Sequence, residues 1–173
     1  IRLSLVGSEM CIRDRELIGF IRDYLASHGV HSELIYNPER TKANLFASIG
    51  PEDRGGVVLS GHTDVVPVDG QAWSVEPFVL SEREGRLYGR GTADMKGFIA
   101  SVLAAVPGLT RRRLRLPVHL AFSYDEEVGC LGVRPMLERM QQRPHKPLLC
   151  LIGEPTELLS LIHISEPTRL RRI

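Results

Sequence analysis

Three short apolar-rich runs, Val57-Val58-Leu59, Pro117–Tyr124 and Leu148–Ile152, each stop at a polar cluster. The clusters are Gly61-His62-Thr63-Asp64, Asp125-Glu126-Glu127 and Gly153-Glu154. Such runs read as strands buried on both faces, the signature of a parallel sheet core. Polar groups at the carboxyl ends of parallel strands share one rim, where open α/β folds place their sites. The pattern restricts the chain to an α/β class, a mixed sheet with helices on both faces.

The rest of the chain fits that class. Leu17, Ile18, Ile21, Tyr24 and Leu25 recur at helical spacing over Glu16–His28, and Gly29 follows as a stop. Ser32–Tyr36 and Asn44–Ile49 read as strands. A long loop spans His62–Pro77, a length often associated with function. Phe78–Leu80 and Arg86–Tyr88 flank Glu84-Gly85 as a hairpin. Met95–Val106 reads as a helix ended near Pro107-Gly108, and Leu131–Gln141 as a helix bent at Pro135. A length of 173 residues suffices for one domain with a sizeable core.

The two ends read differently. Ile1–Arg15 and Leu159–Ile173 carry no clear helical or strand period. Codons for Ser160–Thr168, read on the complementary strand in a shifted frame, can encode Val6–Arg13. Both tails therefore resemble translated sequencing-library adapter, foreign to the fold. Residues 16–158 remain as the native part, which the family resemblance given below implies is the N-terminal part of a catalytic domain, and His163 and Glu166-Pro167-Thr168 are excluded from any site. Without the six basic and three acidic tail residues, 16 basic and 18 acidic remain, a net charge of −2. That charge points away from nucleic acid. No apolar run approaches the roughly 20 residues that span a bilayer, which points away from a membrane. Cys11, Cys130 and Cys150 show neither metal spacing nor a disulfide framework, the usage of a reducing cytoplasm.

The polar clusters carry the chemistry. His62 could ligate one metal, with Asp64 accepting its other imidazole N–H; taken alone, Asp64 also reads as a turn or capping aspartate. Asp94 could offer one oxygen to each of two cations, and alone reads as a helix N-cap. Neighbouring side chains in an extended segment point opposite ways, so one of Glu126 and Glu127 could bind metal while the other faces a water. Alone, that run reads as a solvated acidic loop. Glu154 could supply an oxygen to the second metal, although Glu-Pro turns are common. Joint order and strand-end placement favour the metal centre. Gly89-x-Gly91 lacks a third glycine three residues on and does not read as a nucleotide loop. His28, His31, His119 and His145 read as surface or packing histidines, Arg111–Arg113 with Arg115 as a solvated link, and Cys130 as a small buried or loop thiol.

The ordered set resembles a known family. Gly61-His62-Thr63-Asp64-Val65-Val66-Pro67, Trp73, Pro77-Phe78, Tyr88-Gly89-Arg90-Gly91-Thr92-Ala93-Asp94-Met95-Lys96-Gly97, Asp125-Glu126-Glu127 and Gly153-Glu154-Pro155-Thr156 are similar to the successive motifs of the zinc deacylase and aminopeptidase family. Val68-Asp69-Gly70-Gln71 and Gly97-Phe98-Ile99-Ala100 most resemble its acetylornithine-hydrolysing branch.

The resemblance implies a zinc-peptidase-like catalytic domain with two Zn2+, or Co2+ in their place. His62 would bind one zinc, Asp94 would bridge, and Glu127 and Glu154 would each complete one of the two. Glu126 would be the general base and Asp64 would buttress His62. The Asp94–Met95 peptide would be cis. The implied reaction removes the acetyl group of N2-acetyl-L-ornithine, giving ornithine and acetate in arginine biosynthesis. Alternatives within the family are succinyl-diaminopimelate, other N-acyl amino acids or dipeptides. The family also carries a later histidine ligand and a lid or dimerisation domain, and the chain ends before both. The full-length form would then be a homodimer through that domain, and this chain a catalytically inert piece.

Overall fold

The computed structural model describes residues 12–156. The chain runs α1 (Ile12–Ser27), β1 (Ser32–Tyr36), β2 (Ala43–Ile49), β3 (Val57–His62), β4 (Ser81–Arg83), β5 (Arg86–Tyr88), a π-type turn (Thr92–Lys96), α2 (Gly97–Thr110), β6 (Val118–Ser123), α3 (Arg134–Gln141) and β7 (Leu149–Ile152). Five strands form one sheet in the order β1-β2-β6-β3-β7, while β4 and β5 pair as a separate hairpin. β2 pairs antiparallel with β1 and with β6. β3 pairs parallel with β6 and with β7.

Strand alternation divides the sheet between two layers. Leu45, Ala47, Leu120 and Phe122 join Ile21 and Leu25 of α1 and Ile99, Leu103 and Val106 of α2 in the main core. Phe46, Val58 and Ala121 point to the opposite face and pack with Met136 of α3. Helices therefore lie on both faces of a mixed sheet, as the sequence pattern requires. Each fully buried side chain of this kind contributes about 1.5–3 kcal/mol of transfer free energy.

The structure departs from the sequence reading at several elements. α1 begins at Ile12, four residues before Glu16. The first hairpin strand is Ser81–Arg83 rather than Phe78–Leu80, because the turn at Glu84-Gly85 pairs the residues directly beside it. α2 does not stop at Pro107 but continues to Thr110. Proline removes the N–H that would reach the Leu103 carbonyl one turn back. The Tyr24 hydroxyl of α1 donates to that carbonyl at 3.2 Å. α3 starts at Arg134 with Pro135 in its first turn, where a missing N–H has no helical partner to lose and causes no bend. β7 is an exposed strand rather than a buried one: Leu149 and Leu151 retain 49% and 48% of their exposure. It sits at the sheet edge, and neither core cluster includes a β7 side chain.

Candidate metal centre

β3, β6 and β7 run parallel, so their carboxyl ends open on one rim. His62 is the last residue of β3, the Asp125-Glu126-Glu127 loop follows β6, and Glu154 follows β7. Asp94 enters from the turn before α2, where it and Met95 leave helical φ/ψ. The Asp94–Met95 peptide is cis, matching the resemblance.

His62 is the centre of the arrangement and is 1% exposed. Its Nε2 lies 3.0 Å from Asp94 Oδ1, 3.7 Å from Glu154 Oε1 and 4.0 Å from Glu126 Oε2. Two donor sets share the imidazole: His62 with Glu126 and Glu154, and His62 with Asp94 and Glu127. Within each set the ligand atoms lie within 4.8 Å of one another. Residues 94, 126, 127 and 154, up to 92 positions from His62 in sequence, thus gather around its imidazole.

The other side of the ring is held by Asp64. His62 Nδ1 lies 3.0 Å from the Asp64 main-chain oxygen and 3.4 Å from its carboxylate Oδ1. The carboxylate is engaged elsewhere: Oδ1 accepts the Glu126 N–H at 3.1 Å and Oδ2 the Glu127 N–H at 3.0 Å. Asp64 therefore ties the β3 end to the acidic loop. Met95, fully buried, approaches from above, and its Sδ accepts the His62 N–H at 3.2 Å. Gly61 permits that approach, since a Cβ there would stand 3.1 Å from Met95 Cε. At Gly153 a Cβ would fall 2.0 Å from the Phe98 ring, so only glycine lets the chain pass α2 and deliver Glu154.

The electrostatics follow from this crowding. Burial disfavours charge on His62, but Asp64, Asp94 and Glu154 outweigh it and raise the imidazole pKa to about 9. Burial raises Glu127 and Glu154, and repulsion from Asp94 and Glu126 adds to the rise of both. Asp64 is lowered despite burial, by His62 and by the two N–H donors. One imidazole and four converging carboxylates are the nitrogen and oxygen donors that zinc takes. A divalent cation would relieve the repulsion among the acids, so the residues present fit a metal.

Sequence reasoning missed Asn44 and Lys42. Asn44 is fully buried; its Nδ2 donates to Gly132 O at 2.7 Å and its Oδ1 accepts the Tyr124 N–H at 3.3 Å. An asparagine inside the apolar segment Ala43-Asn44-Leu45-Phe46 was the available signal, because a buried amide requires partners. Lys42 Nζ pairs with Asp125. Cys130 is an exposed loop thiol with Sγ 3.3 Å from Glu126 Oε1. His119 is a buried packing histidine, its Nδ1 2.8 Å from Ser48 Oγ and its ring stacked on Phe46.

Comparison with known proteins agrees with this geometry. The chain is 41% identical to acetylornithine deacetylase of Pasteurella multocida (strain Pm70), an alignment covering 91% of this chain and 41% of that protein. It is 38% identical to acetylornithine deacetylase of Yersinia pseudotuberculosis serotype O:1b (strain IP 31758), over 97% of this chain and 45% of the relative. The chain thus spans less than half the length of these curated relatives. Human carnosine dipeptidase 1 shares the fold with a TM-score of 0.70 at 24% identity, over 82% of this chain and 32% of that one. The M20 family metallo-carboxypeptidase Sso-CP2 from Sulfolobus solfataricus gives a TM-score of 0.69 at 23% identity, over 80% and 32%. Residues 58–169 match the sequence profile of peptidase family M20/M25/M40, and the chain belongs to that family.

Proposed function

We propose that the full-length protein is a zinc-dependent amide hydrolase that removes the acetyl group of N2-acetyl-L-ornithine. The convergence of Asp94, Glu126, Glu127 and Glu154 on His62 carries the metallohydrolase part of this reading. The acetylornithine part rests on 41% and 38% identity to enzymes of that name.

In this reading His62, Asp94, Glu127 and Glu154 would hold two zinc ions. The bound metal supplies Lewis acidity toward the acyl oxygen and a water acidic enough to ionise near neutral pH. Glu126 takes the water proton and returns it to the departing amine. Asp64 fixes Glu126 through its backbone N–H and fixes the His62 ring through the Asp64 carbonyl. Burial, then repulsion from Asp94 and Glu126, raises the Glu127 and Glu154 pKa, a crowding of acids that a cation would relieve.

The chain spans 41% to 45% of the relatives' length, and the proposed activity belongs to the longer protein. Substituting Glu126→Gln in the full-length enzyme tests the reading. Zinc content should persist while N-acetylornithine hydrolysis nearly vanishes; retained turnover would remove Glu126 from its role.

A further inference from the structure

The acidic loop carries two non-glycine residues at positive φ. Asp125 (φ 54) and Cys130 (φ 57) occupy left-handed backbone. That conformation costs a non-glycine residue roughly 1–2 kcal/mol. Inside the loop, Glu126 O accepts the Gly129 and Cys130 N–H groups, and Asp125 O accepts that of Leu131. These bonds close the turn, and none of them ties it to the rest of the fold.

Both ends are gripped by the start of β2. Asn44 bonds the Tyr124 N–H before the loop and the Gly132 carbonyl after it. Gly132 itself lies so close that a Cβ would stand 1.9 Å from Tyr124 O. Lys42 lies two residues before Asn44, so the two share one side of the extended chain. Its ammonium pairs with Asp125, with both side chains largely shielded at 16% and 26% exposure. β2 thereby fixes residues 124, 125 and 132, and Asp64 fixes the N–H groups of 126 and 127.

We infer that Lys42 and Asn44 are positioning residues, which clamp the loop so that the Glu126 carboxylate faces the His62 centre. The inference rests on Glu126 being the general base. Neither residue touches the reacting atoms; each acts through the loop backbone.

The test uses the full-length enzyme with Lys42→Met, Lys42→Arg and Asn44→Ala. Lys42→Met keeps the alkyl stem and is the variant that should still fold if Asn44→Ala does not. Its kcat should fall about 100-fold, the scale of a roughly 1 Å misplacement. KM should hold, and Lys42→Arg should restore most of the rate. Independently of activity, amide exchange at Glu126 and Glu127 should accelerate while β2 and β6 amides keep their protection. If those two amides exchange as before, the clamp is wrong whatever the activity. If they accelerate but the parent enzyme hydrolyses no N-acyl amino acid, the clamp stands and the functional reading fails. A Lys42→Met enzyme with parental kcat would overturn the positioning role.

Discussion

Asp64 holds Glu126 by its backbone: one carboxylate oxygen accepts the Glu126 N–H at 3.1 Å. The other accepts the Glu127 N–H at 3.0 Å, so a single buried side chain on the β3 end sets the start of the acidic loop. Asp64→Asn would turn one acceptor into a donor facing an N–H. An orphaned buried donor costs about 1–3 kcal/mol. We expect a fall in melting temperature and a 10–100-fold loss of zinc affinity or turnover, the scale seen when partners of metal ligands are removed. Calorimetry and zinc titration check it; parental values for both would contradict it.

The ligands and the base should separate by substitution. Glu154→Gln and His62→Asn remove proposed donors and should lower zinc content. Glu126→Gln should leave zinc content intact and remove turnover. Metal analysis beside an acetate-release assay distinguishes them, and loss of zinc in Glu126→Gln would make Glu126 a ligand instead.

His62 gives a pH prediction with a defined sign. Its pKa is raised from 6.5 to about 9 in the folded metal-free chain. Between those values the folded state binds more protons than the unfolded one, so stability falls as pH rises. The contribution is complete below pH 6.5 and lost by about pH 9. Zinc requires the neutral ring, so its affinity should increase across the same window with proton release. Saturating zinc at about 100 times Kd should add about 2.7 kcal/mol. Melting curves from pH 6 to 9.5, with and without zinc, measure both effects. A flat metal-free profile, or the same slope in His62→Gln, would count against it.

The Tyr24–Leu103 contact predicts a coupling on the far side of the sheet. Pro107 leaves the Leu103 carbonyl without its helical donor, and the Tyr24 hydroxyl takes the place. Tyr24→Phe should cost about 1 kcal/mol. In a Pro107→Ala background, which restores the N–H, that cost should shrink. Urea denaturation of the four variants of the cycle decides it, and strict additivity would dismiss the relationship.

Much of this arrangement was legible before any coordinates. Short apolar runs closed by His62, Glu126 and Glu154 fixed three strand ends on one rim, because parallel strands leave their carboxyl ends together. Asp94 reads alone as a helix N-cap and gains weight as a ligand only beside the other clusters, since its turn breaks helical φ/ψ and has no periodic signal. β7 was misjudged because Leu149-Cys150-Leu151-Ile152 has the composition of a buried strand, and burial depends on neighbours that the segment does not encode. α2 was cut short at Pro107 because the compensating hydroxyl comes from 83 residues earlier. Asn44 was passed over because its partners, Tyr124 and Gly132, are distant in sequence.

The most direct test measures bound zinc and N-acetylornithine hydrolysis together, on this chain and on the full-length protein. The account predicts two zinc ions and acetate release for the full-length protein. A full-length protein that folds, binds no zinc and leaves N-acetylornithine intact would contradict the metal centre built around His62.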